Sequence, residues 1–222
     1  MQTELYRNTF RVRSIRLPDY DYTRNGYYFI TICTYNKEEY FGNIKNEKMC
    51  LFRTGSIVWD CWQQIEILNH HIFIDDAFVV MPNHIHGIVI IDHGQADNFY
   101  SCVECNEWHN KKMNIYNNVK NNNKIRGRDV ALQRFYDGDG KNDIMSTISP
   151  KRGSLSSIIR SYKSACTTQI RELFQDYGIT SYFGWQERFY EHIIRNDYTF
   201  GSIQQYIYDN PIKWHKDRNS VW

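Results

Sequence analysis

The most constraining feature of the sequence is a pair of short apolar runs on either side of the turn-forming residues Pro82-Asn83. Residues 77–81 (AFVVM) and 85–91 (IHGIVII) are rich in apolar and β-branched side chains, and Pro82-Asn83 lies between them. Such runs on either side of a short turn predict two consecutive strands. The chain is therefore expected to build a sheet, with other segments supplying the helices that cover it.

The remaining elements follow from the spacing of apolar residues. Five further segments show the periodicity of a strand or a helix: strands at 27–34 and, with an internal turn, at 41–52, and helices from Ser56, over 155–173 and over 199–209. This order of strands and helices predicts an α+β domain with a mostly antiparallel sheet. We expect a ferredoxin-like sheet flanked by helices, in a single domain spanning residues 1–222.

A change in composition interrupts this pattern. Residues 92–146 contain ten Asn and the run NNVKNNN, with almost no periodicity, which predicts a long irregular insertion. Within it, Cys102, Cys105 and His109 suggest zinc, but no second pair follows at the spacing of a structural zinc site, so we do not expect one.

Composition excludes several classes of protein. The net charge is only +2, which by itself indicates no polyanionic partner, and six cysteines show no disulfide-like framework. The first residues lack the apolar core of a secretory signal, and no run of about 18 apolar residues exists to span a membrane. We therefore expect a cytoplasmic protein with reduced thiols.

The sharpest local motif is His84-Ile85-His86. Because residues i and i+2 of a strand point to the same face, the two imidazoles can lie side by side and bind a divalent metal ion. The alternative is two incidental histidines on a solvated strand face, which is the more common situation for an isolated His-x-His motif.

A second constellation lies near the C-terminus, in IQQYIYDN at 203–210. On a helix, Tyr206 and Asn210 share a face, so a nucleophilic phenol and an amide oxygen could meet one metal site. The alternative is that Tyr206 is an ordinary helix aromatic and that Asn210 ends the helix before Pro211.

Taken together, these motifs resemble a known family. PNHIHGIVII, WQERFYEHIIRND and YIYDNPIKW occur in the order found in REP-associated tyrosine transposases, which belong to the HUH superfamily of single-tyrosine DNA nucleases. The segments SIRLPDYDYTRNGYYFITICTYN and GSLSSIIRSYKSACTTQI are also similar to this family. The resemblance covers nearly the whole chain except residues 92–146.

The resemblance implies roles for individual residues. His84 and His86 match paired ligands of Mg²⁺ or Mn²⁺, and Tyr206 matches the nucleophile. Asn210 matches a third ligand, although that position is often Gln in related enzymes, and His192 matches a site neighbour. The implied activity is cleavage and transfer of single-stranded DNA through a covalent 5′-phosphotyrosine, on hairpins such as REP elements. The implied location is the bacterial cytoplasm, at the nucleoid, and the resemblance leaves monomer and homodimer open.

DNA contacts are less specific. Basic residues that could meet phosphates lie in two groups: Arg7, Arg11, Arg13 and Arg16, and Lys151, Arg152, Arg160 and Lys163. A run of charges is as often a solvated face.

Two rival functions stay open: a protein that binds hairpin DNA without cutting it, and a metal-dependent hydrolase of small phosphoesters that does not use Tyr206. Tyr162 is a rival nucleophile, but its place on an apolar helix stripe favours packing.

Overall fold

A computed structural model describes most of the chain outside the predicted insertion. The described residues are 17, 19–69, 71–94, 150–217 and 219–220, with the backbone of 5–6 and 9–10. The insertion predicted at 92–146 lies outside them apart from residues 92–94. The regular elements of the described residues are β1 (Leu5–Tyr6), β2 (Thr9–Phe10), β3 (Gly26–Cys33), β4 (Gly42–Lys45), β5 (Lys48–Leu51), α1 (Arg53–Leu68), β6 (Ile72–Val80), β7 (His84–Ile91), α2 (Leu155–Asp176), β8 (Tyr190–Ile194) and α3 (Asp197–Asp209), with 3-10 turns at Tyr35–Lys37 and Trp214–Lys216.

Among the described residues, the central sheet has four strands in the order β6-β7-β3-β8, and every neighbouring pair is antiparallel. Along the chain the sheet and its covering helices follow the sequence β3-α1-β6-β7-α2-β8. Strands β3 and β6, which helix α1 connects, are not neighbours in the sheet, because β7 lies between them. This arrangement is the split βαβ unit of the ferredoxin-like fold. The predicted α+β fold with a ferredoxin-like antiparallel sheet is therefore confirmed.

Alternation along the strands divides the sheet into two faces. Tyr28, Ile30 and Ile32 of β3 are fully buried in the larger core cluster, which also contains the apolar residues of α1 and α2. Phe29 points to the opposite face and packs in a smaller cluster with Ile207 of α3. The face that α3 covers is the face on which His84 and His86 lie, because they alternate with Ile85 of the larger core.

Several boundaries differ from the sequence prediction. The helix predicted from Ser56 begins at Arg53, because tertiary contacts start it: the backbone N–H of Phe52 donates to Phe41 O at 2.8 Å, and the Thr54 hydroxyl donates to Tyr40 O. Strand β6 begins at Ile72 and not at residue 77.

The early start of β6 was hidden by a β-bulge that interrupts its alternation between Ile74 and Phe78. The bulge places Asp75 in the interior, where its Oδ1 accepts hydrogen bonds from Ala77 N and from Gln204 Nε2 of α3. Bulges redirect side chains and bend strands, and this one ties α3 to the sheet. Among the described residues, no helix combines the length and apolar character needed to cross a membrane.

Close packing of β7 against α1 predicts a sharp effect of adding one methyl group at Gly87. A Cβ there would lie 2.5 Å from Cζ2 of Trp62 and 2.9 Å from Phe78, whose rings are stacked on each other. We expect Gly87→Ala to destabilise the protein by about 1–3 kcal/mol, since overpacking forces buried rings to move. Urea unfolding monitored by circular dichroism would measure the loss.

Gly201→Ala is the matched control for this prediction. A Cβ at Gly201 meets no atom within 4 Å, and alanine in a helix is more stable than glycine by roughly 0.5–1 kcal/mol. We expect the control to be neutral or stabilising. Equal unfolding midpoints for Gly87→Ala and the unaltered protein would contradict the described packing.

Candidate active site

The two histidines of β7 form the centre of the site. His84 and His86 are buried, with 0% and 1% of their surfaces exposed. Their Nε2 atoms lie 3.1 Å apart. The alternative of two incidental histidines on a solvated face is therefore wrong, because the C-terminal part of the chain covers this face of the sheet.

Each imidazole is oriented by a partner on its other nitrogen. Nδ1 of His84 lies 2.8 Å from Oδ1 of Asn83, and Nδ1 of His86 lies 2.8 Å from the hydroxyl of Thr31 on the neighbouring strand β3. The sequence prediction did not include Asn83 or Thr31 among the residues of the site. Such partners orient metal-binding histidines and are typical of metal sites.

Helix α3 brings Tyr206 to this centre. Its hydroxyl lies 3.4 Å from Nε2 of His86, and the two rings are 5.2 Å apart. Tyr206 is 44% exposed, whereas its neighbour Ile207 is fully buried against the sheet. Burial of Ile207 sets the rotation of the helix, so the phenol of Tyr206 reaches the histidines and remains accessible from solvent.

Asn210 lies one turn after Tyr206, at the C-terminal cap of α3. The residue is 3% exposed, and its Oδ1 atom is buried without a hydrogen-bond partner among the described residues. A buried oxygen without a partner is unfavourable in a folded protein. The role of Asn210 as a metal ligand stays a prediction.

Asp217 is the residue that sequence reasoning missed. Its Oδ2 lies 3.9 Å from Nε2 of His84, and ligand atoms of His84, His86 and Asp217 all lie within 4.8 Å of one another. Trp214, three residues earlier, stacks on the imidazole of His84 with ring centroids 5.8 Å apart. No periodicity or motif marks this aspartate, because the irregular chain after α3 brings it to the histidines.

The donor set suits a divalent metal ion. Two ligand atoms about 2.1 Å from one ion and at right angles to each other lie about 3.0 Å apart, close to the 3.1 Å between the two Nε2 atoms. Two imidazoles and a carboxylate are a common ligand set for such ions. The cluster of His84, His86 and Asp217 could therefore hold a metal ion.

The structure places His192 on β8, where it is exposed and pairs with Phe29 of β3. The strand register puts Thr31, and not Phe29, opposite His86. His192 is thus one pair further along the sheet, and the ring of Phe29 stacks on His86 at 5.4 Å. The role of His192 as a site neighbour stays a prediction.

Basic residues predicted to contact DNA divide into three groups. Arg7, Arg11, Arg13 and Arg16 lie outside the described residues. Lys151, Arg152 and Arg160 are exposed at and near the start of α2, on the side of the sheet away from the histidines. Lys163 differs, because its ammonium donates to the backbone oxygen of Gln186 at 2.8 Å and burial lowers its pKa to about 8.

The rival nucleophile Tyr162 is a packing residue. Its side chain is 2% exposed, its hydroxyl donates to Val58 O at 3.1 Å, and burial raises its pKa. A phenol whose proton is held by a backbone carbonyl in the core is not accessible to a phosphodiester. The preference for packing at this position is confirmed.

Comparison with known proteins places the chain in a family. No family model matches it. A protein of Haemophilus influenzae, described as an "Uncharacterized protein", is 33% identical over 210 residues, which are 93% of this chain and 91% of that protein. The chain belongs to the same family as this protein. The family relationship carries no activity with it, since the relative's description states none.

One known structure is similar at a lower level. It is the structure of a REP-associated tyrosine transposase bound to a REP hairpin, with 16% sequence identity and a TM-score of 0.46. The match covers 91% of this chain and 74% of that chain. A likeness of this degree is too weak to support an argument about function.

The geometry of the site predicts that Asp217 contributes to metal binding. We expect Mn²⁺ to bind in isothermal titration calorimetry with one site per chain, and Asp217→Asn to weaken it about tenfold, which corresponds to about 1.4 kcal/mol. The reason is that the amide keeps the size of the carboxylate but removes its charge. Asp209→Asn is the matched control, because Asp209 pairs with Lys213 at the surface. Equal weakening by both substitutions would contradict a specific role for Asp217.

Proposed function

We propose that the protein is a metal-dependent single-strand DNA endonuclease and strand transferase whose nucleophile is Tyr206. The observation that carries this proposal is the position of the Tyr206 hydroxyl, 3.4 Å from Nε2 of a buried histidine in a cluster of metal-ligand type. A phenol that is accessible from solvent and adjacent to such a cluster has the arrangement that covalent phosphoryl transfer requires.

The residues that would hold the ion are His84, His86 and Asp217, with Oδ1 of Asn210 as a further donor. When bound there, a divalent ion such as Mg²⁺ or Mn²⁺ would supply Lewis-acid stabilisation of charge on phosphate oxygens. Asn83 and Thr31 hold the imidazoles in place, so little rearrangement of the protein is needed.

The reaction of Tyr206 conserves the phosphodiester bond energy. Its hydroxyl oxygen forms a bond to the scissile phosphorus, the bond from phosphorus to the 3′ oxygen breaks, and the phenolic proton is lost while the leaving oxygen gains one. The products are a 5′-phosphotyrosine and a free 3′-OH. Attack by a second 3′-OH on this phosphotyrosine restores the phenol and joins a new strand without ATP.

The proposed substrate is single-stranded or hairpin DNA, such as a REP element. This part rests on the resemblance of PNHIHGIVII, WQERFYEHIIRND and YIYDNPIKW to REP-associated tyrosine transposases. Exposed Lys151, Arg152 and Arg160 lie on the other side of the sheet from the histidines, so they are candidates for phosphate contacts with DNA outside the cleavage site.

The candidate ligands His84, His86 and Asp217 and the hydroxyl of Tyr206 meet within one chain, and we infer that one chain is sufficient for cleavage. The proposed location is the bacterial cytoplasm, at the nucleoid.

The first test is formation of a covalent protein–DNA adduct. We expect hairpin DNA with a single-stranded flank and a label at its 3′ end, incubated with Mn²⁺, to give a labelled band that survives SDS, because the 5′-phosphotyrosine keeps the 3′ fragment on the protein. Tyr206→Phe should abolish that band because the nucleophilic oxygen is removed. Tyr208→Phe is the matched control, since it makes the same change two residues later on an exposed part of the same helix.

The outcome separates the proposal from its rivals. A salt-sensitive mobility shift without an SDS-resistant band would show a DNA-binding protein that does not cut. Phosphoesterase turnover that persists in Tyr206→Phe would show a hydrolase that uses the histidines alone.

The second test is dependence on the ion. We expect EDTA to abolish the adduct and added Mn²⁺ or Mg²⁺ to restore it, whereas His84→Ala and His86→Ala should lose it at every ion concentration. DNA binding measured by fluorescence anisotropy should persist in both variants at low salt, because phosphate contacts dominate affinity. Adduct formation that is unchanged in EDTA would contradict the proposed mechanism.

A further inference from the structure

Asn83, in the turn between β6 and β7, makes more contacts than a turn requires. The residue is fully buried, and its side chain meets three groups: Nδ1 of His84, the backbone oxygen of Lys37 and the backbone oxygen of Asn219. We propose that Asn83 is a positioning residue that sets the tautomer of His84 and also holds the chain segment that carries Asp217. The inference rests on the proposed function, because it concerns the proposed metal ligands.

The orientation of the Asn83 amide follows from its partners. Nδ2 lies 3.0 Å from Lys37 O and 2.7 Å from Asn219 O. Both partners are carbonyl oxygens, which accept hydrogen bonds and cannot donate them. Only the NH₂ group of Asn83 can satisfy them, so the amide cannot be flipped, and its Oδ1 must face His84.

This orientation determines the proton position on His84. Oδ1 of an amide is an acceptor, and it lies 2.8 Å from Nδ1 of His84. A hydrogen bond at that distance requires the proton on Nδ1. In the neutral imidazole the lone pair is then on Nε2, the nitrogen that faces His86 and Asp217. Asn83 therefore presents His84 in the one neutral form that can bind a cation at this position.

His86 is not restricted in the same way. Its Nδ1 lies 2.8 Å from the hydroxyl of Thr31, which can donate or accept. When Thr31 donates, Nε2 of His86 carries the proton and donates it to the lone pair of His84 across 3.1 Å. When Thr31 accepts, Nε2 of His86 is a lone pair as well. Without an ion, the two buried imidazoles can therefore form a hydrogen bond with each other. With an ion, both Nε2 atoms can present a lone pair to it.

The second function of Asn83 concerns the C-terminal segment, defined here as residues 211–217 and 219–220. The Asn83 amide donates to the carbonyl of Asn219, and the backbone N–H of Asn219 donates to Oδ1 of Asp217 at 2.6 Å. The other oxygen of Asp217, Oδ2, lies 3.9 Å from Nε2 of His84. One side chain therefore fixes His84 directly and Asp217 through a single intervening residue.

The first test uses the unaltered protein without a divalent ion. Nitrogen-15 NMR of labelled histidines separates a protonated ring nitrogen from one with a lone pair. We expect His84 to be protonated at Nδ1 and not at Nε2 in its neutral form. Protonation of His84 at Nε2 would overturn the inference, whatever the enzymatic activity.

The second test uses a pair of variants. We expect Asn83→Ala to weaken Mn²⁺ binding about 10- to 100-fold and to increase hydrogen exchange at the backbone N–H groups of Asp217, Asn219 and Ser220, which are hydrogen-bonded within the segment. Thr31→Val is the matched control, because it removes the partner of His86, and the hydrogen bond of the Thr31 side chain goes to His86 and not to the described residues of the C-terminal segment. It should weaken Mn²⁺ binding and leave exchange in that segment unchanged.

Two outcomes would overturn the inference: exchange that rises equally in both variants, or Mn²⁺ binding that is unchanged in Asn83→Ala. If Asn83→Ala does not fold, Asn83→Asp replaces it. The carboxylate has the same shape and keeps an acceptor for His84 but loses both donors. His84 should then keep its Nδ1 proton, while the C-terminal segment loses protection from hydrogen exchange. Unchanged protection of the segment in Asn83→Asp would contradict the double role.

These results are separable from the proposed function. A protein with the expected His84 tautomer and an anchored segment that forms no tyrosine–DNA adduct would contradict the proposed function and leave the role of Asn83 intact. Adduct formation by a protein whose His84 is protonated at Nε2 would support the proposed function and contradict the role of Asn83.

Discussion

The structure depends on keeping two imidazoles in contact inside the protein. His84 and His86 are buried side by side with their Nε2 atoms 3.1 Å apart. Two nitrogen lone pairs at that distance repel each other unless a proton or a cation lies between them, and buried polar groups require partners. Asn83 and Thr31 supply partners on the outer nitrogens. Strand β7 lies between β6 and β3, so the backbone that carries both imidazoles cannot shift without breaking a ladder of hydrogen bonds.

The rest of the site is brought to this pair by packing on one face of the sheet. Ile207 is buried beside Phe29, and Gln204 donates to Asp75 in the bulge of β6. These two contacts set the rotation and position of α3, and Tyr206 therefore lies at the edge of the packed face, in contact with His86 but 44% exposed. A nucleophile must reach its substrate, so partial exposure at this edge has a functional consequence that full burial, as at Tyr162, would exclude.

The irregular C-terminal segment has an equally specific position. Trp214 stacks on His84, and the turn that follows places Asp217 beside the same ring. Asn83 joins this segment to the turn between β6 and β7 through the carbonyl of Asn219. Through Asp217, the segment thus adds a carboxylate to a cluster whose other two members are imidazoles. Its contribution depends on few hydrogen bonds, and a single substitution at Asn83 is expected to affect both the histidine and the carboxylate.

Local pattern predicted the elements that have strong periodicity. The hairpin around Pro82-Asn83, the α+β class and the long helix α2 are confirmed, since alternation and helical spacing reflect which face is buried. Boundaries failed where tertiary contacts replaced local signals. Helix α1 starts at Arg53 without a side-chain cap, and the bulge at Asp75 hid the first half of β6. The strand β8 was not identified as a strand, because its burial pattern is weak at the edge of the sheet.

The sequence by itself determined that His84 and His86 share a face and that Tyr206 and Asn210 share another, since these relations depend only on the periods of a strand and a helix. Only the tertiary structure decided that the two faces meet. It also decided that Asp217 joins them and that Asn83 orients His84, because these contacts join residues far apart in the chain. No local period encodes such contacts, which arise from the burial of apolar side chains on both elements.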